Sequence, residues 1–359
     1  MEEHAFGPGL PRLAPAGGAA AVPHGGATLA RAGVGAELVA PEQLRRGKTG
    51  WPSVDRGLRI GAIVNKRAHR NAAREIFNGS TLLDWAAPSS VGELDAALAR
   101  FAESKIDTLV IDGGDGTIRD VLSASARVFT GPMPTIAVVP SGKTNALAID
   151  LGVPADWSLK DAIAAAATGQ IRVRSPIEVS RLGEAGPGLR GFLFGTGAFV
   201  KATALAQETH KVGAFRGLAV GMALTGGVLQ TAFAGSNNHW RQGERMEIQL
   251  EDGRRLDRSL YLVLGSTLER LPLGLKPFGR ERAGLKFLGI DAPPRHIVAT
   301  APMLLSGSEA GWLERIGYHR ADMEAMTISV PSGFILDGEL YRGGDLSVRK
   351  GAPLRFLVP

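Results

Sequence analysis

The chain has 359 residues, 44% of them hydrophobic and 21% charged, which is enough for two domains that each bury a core. It contains no cysteine, which excludes disulfides and thiolate metal centres and suits a reducing cytosol. A formal net charge of +6 and a pI of about 9.8 suit acidic partners such as nucleotides or anionic lipid surfaces, while no recognised module or aromatic–basic platform points to nucleic acid.

Residues 1–55 are rich in Gly, Ala and Pro without a sustained period, and read as a disordered tail with one short helix near 41–46. The opening Met-Glu-Glu lacks a basic start followed by an apolar block, so no secretory signal is expected. From residue 57 the pattern alternates. Strands are expected at 59–64, 108–112 and 135–139, and helices at 92–104, 118–128 and 143–151. Ser158, with Asp161 three residues on, caps a further Ala-rich helix. Such alternation predicts a parallel sheet with helices on its faces. Beyond residue 171 strands dominate, at 171–180, 191–195, 245–250, 259–264, 296–300, 326–330, 333–336, 345–349 and 354–358, with a hairpin around Asp252-Gly253. The fold class is therefore α/β: an N-terminal parallel-sheet domain over 56–170, then an antiparallel β-rich sandwich over 171–359 whose final strands can pack back on the first domain. The uncharged stretch 217–235 has the length of a membrane span, but its five glycines, two threonines and a glutamine favour a buried element or a membrane-surface contact.

The strongest local signal is Gly113-Gly114-Asp115-Gly116-Thr117, which follows a strand and opens a helix. Glycines let a backbone approach a ligand closely, and the helix N-terminus turns amides toward an anion. Thr117 adds a hydroxyl, and a carboxylate beside phosphates, here Asp115, is accommodated by a metal. A second strand feeds Pro140-Ser141-Gly142-Lys143-Thr144-Asn145 and another helix, which puts this loop beside the first at the carboxyl edge of the sheet, where such sheets bind ligands. The Gly-Lys-Thr run is no P-loop, because that motif needs glycine where Ala137 stands.

With the 140–154 segment and the C-terminal Asp337-Gly338-Glu339, the GGDGT turn resembles the diacylglycerol kinase catalytic-domain family, which includes bacterial lipid kinases and sphingosine and ceramide kinases. Asn65 resembles its early Asn-Pro motif, and 211–225 and the closing strand are also similar. The resemblance implies ATP in the cleft between the two domains, with Mg2+ as cofactor. Gly113, Gly114, Gly116 and Thr117 would hold phosphates, with Asp115 at the metal. Asn65, Ser141, Gly142, Lys143, Thr144 and Asn145 would shape the nucleotide pocket. Asp337 would be the base that takes the lipid hydroxyl proton, tuned by Glu339. The implied reaction moves the γ-phosphate of ATP to a hydroxyl of diacylglycerol, ceramide or a sphingoid base, on a cytoplasmic protein peripheral to the inner membrane surface.

The sequence departs from that family at the basic cluster 65–70, at Lys143 and Ala146, and at Phe199 and Lys286, where acids are usual. The last two put a structural metal in the second domain in question. Contacts with an anionic membrane are expected from 217–235 and from the basic-apolar stretch 268–287. The rival readings are a soluble kinase of the NAD-kinase type and a lipid- or nucleotide-binding regulator without catalysis. The sequence leaves the oligomeric state open.

Overall fold

The computed structural model describes residues 57–64, 83–203, 241–251 and 253–359. The expectations for the tail, for Asn65 and the basic cluster, for 211–225 and 217–235, and for Asp252 lie outside these residues.

The first sheet has six strands in the order β2-β1-β3-β4-β17-β5. These are β1 (Ile60–Val64), β2 (Leu83–Ala86), β3 (Thr108–Gly113), β4 (Thr135–Pro140), β5 (Gln170–Arg174) and β17 (Leu354–Val358). All pairings are parallel except β17 with β5. Strands β1 and β3 are buried throughout, as expected of central parallel strands covered on both faces. Helix α1 (Val91–Glu103) starts where the Ser90 hydroxyl accepts from the Glu93 amide, and it buries Leu94, Ala97, Leu98 and Phe101 as one stripe. Helix α2 (Asp115–Val128) follows β3, α3 (Ala146–Leu151) follows β4, and α4 (Leu159–Ala165) begins at a complete capping box of Ser158 and Asp161.

Among the described residues the second sheet has eleven strands. Its main path runs β15-β14-β8-β10-β9-β13-β16-β6-β7, with β11 pairing β10 and β12. The members are β6 (Ile177–Arg181), β7 (Leu189–Gly191), β8 (Leu193–Gly197), β9 (Glu244–Leu250), β10 (Arg255–Ser266), β11 (Leu285–Asp291), β12 (Tyr318–Met323), β13 (Ala325–Val330), β14 (Phe334–Leu336), β15 (Glu339–Tyr341) and β16 (Gly344–Lys350). Its pairings are antiparallel. Strand β9 alternates exposed and buried residues, while β8 is buried throughout.

Three local expectations are corrected. The single strand over 171–180 is two strands in different sheets, broken at Ser175-Pro176, where proline supplies no ladder N–H. The helix expected from Lys143 begins at Ala146, after Asn145 adopts a left-handed conformation. Residues 296–300 form no strand: Ile297–Leu305 is helix α5. Its β-branched residues imitate a strand, but Ile297, Ala301 and Leu304 bury one helical stripe, and tertiary packing overrides the local preference. A short helix, α6 (Trp312–Arg315), precedes β12. Among the described residues no helix is long and apolar enough to cross a membrane.

Candidate active site

The two glycine-bearing loops meet at the carboxyl edge of the first sheet. Strands β3 and β4 are in register from Thr108 opposite Thr135 to Gly113 opposite Pro140, so their loops leave side by side. The backbones touch there: a Cβ on Gly142 would lie 2.4 Å from the Gly114 Cα and 2.7 Å from the Asn145 Oδ1. Asn145 ties the second loop into shape. Its Oδ1 accepts from the Gly142 amide at 2.9 Å, and its Nδ2 donates to the carbonyls of Pro140 (3.2 Å) and Gly142 (3.0 Å). Ser141 contributes a buried hydroxyl with no hydrogen-bond partner among the described residues, and Lys143 is exposed.

The two helix N-termini differ. Gly114 caps α2 without a side chain, so no cap side chain closes the start of this 14-residue helix. The start of α3 is closed by Asp115, whose carboxylate accepts from the amides of Ala146 (3.1 Å) and Leu147 (3.3 Å). Burial raises the Asp115 pKa, and those amide bonds pull it back. The sequence offered Asp115 no role apart from a metal, whereas the structure gives it a capping role as well.

Asp337 comes to this edge from the second sheet. Leu336 and Glu339 pair across the β14–β15 hairpin, and Asp337 and Gly338 both have positive φ (45° and 82°), the signature of a two-residue type I′ turn. The Asp-Gly dipeptide thus makes the turn and also presents a carboxylate. That carboxylate folds back on the start of β8, accepting from the amides of Phe192 (3.0 Å) and Leu193 (2.9 Å). Close packing requires a glycine opposite, because a Cβ on Gly191 would lie 2.6 Å from Asp337 Oδ2. Burial, and then the charge of Asp115, push the Asp337 pKa up to about 7, against the pull of the two amides and of Arg119.

Arg119 is the site residue that sequence reading missed. Its side chain is buried on α2, pairs with Asp120 at 2.7 Å, donates to the Leu336 carbonyl at 3.4 Å and lies over the Tyr341 ring. It therefore joins the helix behind the GGDGT turn to the hairpin that carries Asp337. Glu339, by contrast, is exposed at the start of β15. Among the described residues no hydrogen bond links it to Asp337, which is oriented by Phe192 and Leu193.

Farther along the second sheet lies a narrow apolar cavity, partly open to solvent, between β8, β10, β11 and α5. Its lining includes Phe199, Tyr261, Leu264, Ile290, Ala301 and Tyr318. Phe199 packs on Gly195 as one wall. Lys286 is buried beyond it, with its Nζ donating to the carbonyls of Arg282 and Gly284 at 3.0 Å each, and burial lowers its pKa to about 8. Among the described residues no group of three or more His, Asp or Glu side chains could hold a metal.

The family model for the diacylglycerol kinase catalytic domain matches residues 60–179. The protein named "Probable lipid kinase YegS-like" from Pseudomonas aeruginosa is 31% identical over 304 residues, covering 81% of this chain and 87% of that protein. Its namesake in Klebsiella pneumoniae is 28% identical over 270 residues, covering 72% and 78%. A diacylglycerol kinase of Bacillus subtilis is 33% identical over 96 residues, 27% of this chain and 30% of that one. A crystal structure of a diacylglycerol kinase from Bacillus anthracis superposes with a TM-score of 0.55 at 14% identity, covering 84% of this chain and 97% of that chain, so the fold is shared. With the glycine turn, the second loop and the Asp-Gly-Glu hairpin arranged around one edge, this chain belongs to the diacylglycerol kinase catalytic-domain family, the lipid kinases.

Proposed function

We propose that this protein transfers the γ-phosphate of ATP to a hydroxyl of a membrane lipid, with the first sheet holding the nucleotide and the second sheet the lipid. The observation that carries the reading is Asp337: a carboxylate with a pKa of about 7, coupled by charge to the glycine turn and fixed at one end of β8. The apolar cavity opens at the other end of that strand, through Ala198 and Phe199. The five residues of β8 span roughly 15 Å, a distance an acyl chain bridges between a hydroxyl at Asp337 and the cavity.

In this reading the uncapped amides of α2, with Gly113, Gly114, Gly116 and Thr117, hold phosphate oxygens. Ser141, Gly142, Lys143, Thr144 and Asn145 form the adjoining wall. Asp337 takes the hydroxyl proton as the lipid oxygen bonds to the γ-phosphorus and the bond to the β-phosphate oxygen breaks. Two carboxylates of like charge beside a phosphate cradle fit a divalent cation, which binds one or two carboxylates together with phosphate oxygens. Asp115 would be its main protein ligand, and magnesium would neutralise charge on the transferring group. Arg119 is a positioning residue: it holds the hairpin and favours the ionised form of Asp337.

The test is transfer of labelled γ-phosphate from ATP with magnesium to diacylglycerol, ceramide and sphingoid bases in mixed micelles, with wild type beside Asp337→Asn. Product from one lipid, lost in the variant, is expected. ATP binding with no product from any lipid would overturn the reading, and phosphorylation of NAD alone would replace it with a soluble kinase.

A further inference from the structure

The basic-apolar stretch 268–287 mostly turns inward. Leu268, Leu271, Phe278, Leu285 and Phe287 are buried, and Arg282 is paired with Asp322. One short segment does the opposite. Pro272–Gly274 forms a single 3₁₀ turn that packs beside α3, and at its tip Leu273 is 62% exposed. Leu273 is also left-handed (φ 61°, ψ 14°), a conformation that suits Gly or Asn and costs a leucine energy. An ordinary surface turn gains nothing from an apolar side chain held in this way, whereas strained backbone that persists is characteristic of ligand-contact segments.

Cations flank the tip along the chain, and Glu309 accepts only from the Arg280 backbone amide. Arg270, Lys276 and Arg280 lie within the segment, and Glu281 is the acid that pairs with the first two. The Arg280 side chain is exposed and makes no ion pair among the described residues. Ile149 of the neighbouring α3 is a second exposed apolar residue at 43%. The same segment walls the apolar cavity: Pro277 and Leu305 both line it, and the Lys276 amide donates to the Leu305 carbonyl at 2.7 Å.

We infer that the 270–281 segment is the surface by which the protein docks on an anionic bilayer, with Leu273 inserted among the acyl chains and Arg280 among the headgroups. An exposed apolar tip in a segment with a net excess of cations is complementary to such a surface. Its continuity with the cavity wall gives a lipid a path from the bilayer into the cavity without crossing water. This inference rests on the lipid-kinase reading, of which it names the docking face.

The experiment uses the full chain and vesicles of phosphatidylcholine with and without phosphatidylglycerol, read by co-sedimentation. Leu273→Asn suits the left-handed position better than leucine, so it preserves the fold, which a melting curve checks. The expected results are binding of wild type to the phosphatidylglycerol vesicles, about tenfold weaker partition for Leu273→Asn, and about fivefold weaker partition for Arg280→Gln on anionic vesicles only. Turnover of a water-soluble short-chain diacylglycerol should be unchanged in both variants. Variants that bind as well as wild type, or wild type that binds no vesicle, would overturn the docking surface. A change in molecular mass in Leu273→Asn with vesicle binding intact would assign the patch to a second copy of the chain and also overturn it. If vesicle binding behaves as expected while wild type phosphorylates no diacylglycerol, the docking surface stands and the kinase reading with this acceptor fails.

Discussion

Asp337 gives the proposed transfer a definite pH dependence. As a base it works only when ionised, and its carboxyl group titrates at about 7 instead of the ordinary 3.8. The ionised fraction is then about 90% at pH 8 and about 9% at pH 6, so kcat/KM should rise about tenfold between them. An unshifted aspartate would give a flat profile over that range. Asp337→Asn should lower kcat by about 10²–10⁴ at pH 8, where the base is ionised, and by less at lower pH. Stability should respond in the opposite direction. Because the folded pKa lies above the unfolded one, the unfolded chain loses its proton first as pH rises. The folded state is therefore penalised progressively from about pH 4 to pH 7, by about 4 kcal/mol at most. Asn carries no such penalty but, as a neutral acceptor, weakens the bonds from Phe192 and Leu193 by about 1–1.5 kcal/mol each. The net is a variant more stable than wild type at pH 8 by about 1–2 kcal/mol and nearly inactive. Initial rates from pH 5.5 to 8.5, as labelled lipid product, and melting curves in the same buffers measure both. A flat wild-type profile, or Asp337→Asn activity within tenfold of wild type, would refute the assignment. A rise that survives the substitution would give the titration to another group.

Arg119→Gln removes an attraction that favours the Asp337 anion, so the midpoint of the pH profile should move upward, and Arg119→Lys should restore most of it. Gly142→Ala forces apart loops whose Cα-to-Cβ separation would be 2.4 Å, so a loss of about 1–3 kcal/mol of stability by denaturant titration and at least a tenfold rise in the KM for ATP are expected. Ala301→Trp fills the apolar cavity, so activity on long-chain lipid should fall severalfold while a short-chain acceptor is spared, as read from parallel kcat/KM values. Lys286 titrates at about 8 when folded against 10.5 unfolded. Between those values the unfolded chain holds the extra proton, so wild-type stability should gain from rising pH relative to Lys286→Met, as compared by melting from pH 7.5 to 9.5.

The first sheet was legible because its signals are local: apolar runs buried on both faces, each ending in a small-residue loop. The second sheet was harder to read. Strands β11 and β12 carry Lys286 and His319 in buried positions, which breaks the alternation that announces a half-buried strand. The β-branched start of α5 imitates a strand, and only packing shows that Ile297, Thr300, Ala301 and Leu304 are buried as one helical stripe. At the site, the glycine turn and the Asp-Gly pair were visible as motifs. Arg119 was not, because its link to Leu336 spans 217 positions and has no periodicity to announce it. Nor could spacing show that the Asp115 carboxylate would close the neighbouring helix.

Strand β17 sits between β4 and β5, although every strand of the second sheet is made before it. On the ribosome, the first sheet therefore waits with an open slot while the strands of the second sheet are translated and can fold. The edge of β4 stays unpaired during that interval, exposing a template for mispairing that chaperones would have to shield. The two halves are thus not beads on a string but a sequence of enclosure: the later half is nested within the earlier one, and the first sheet is completed last.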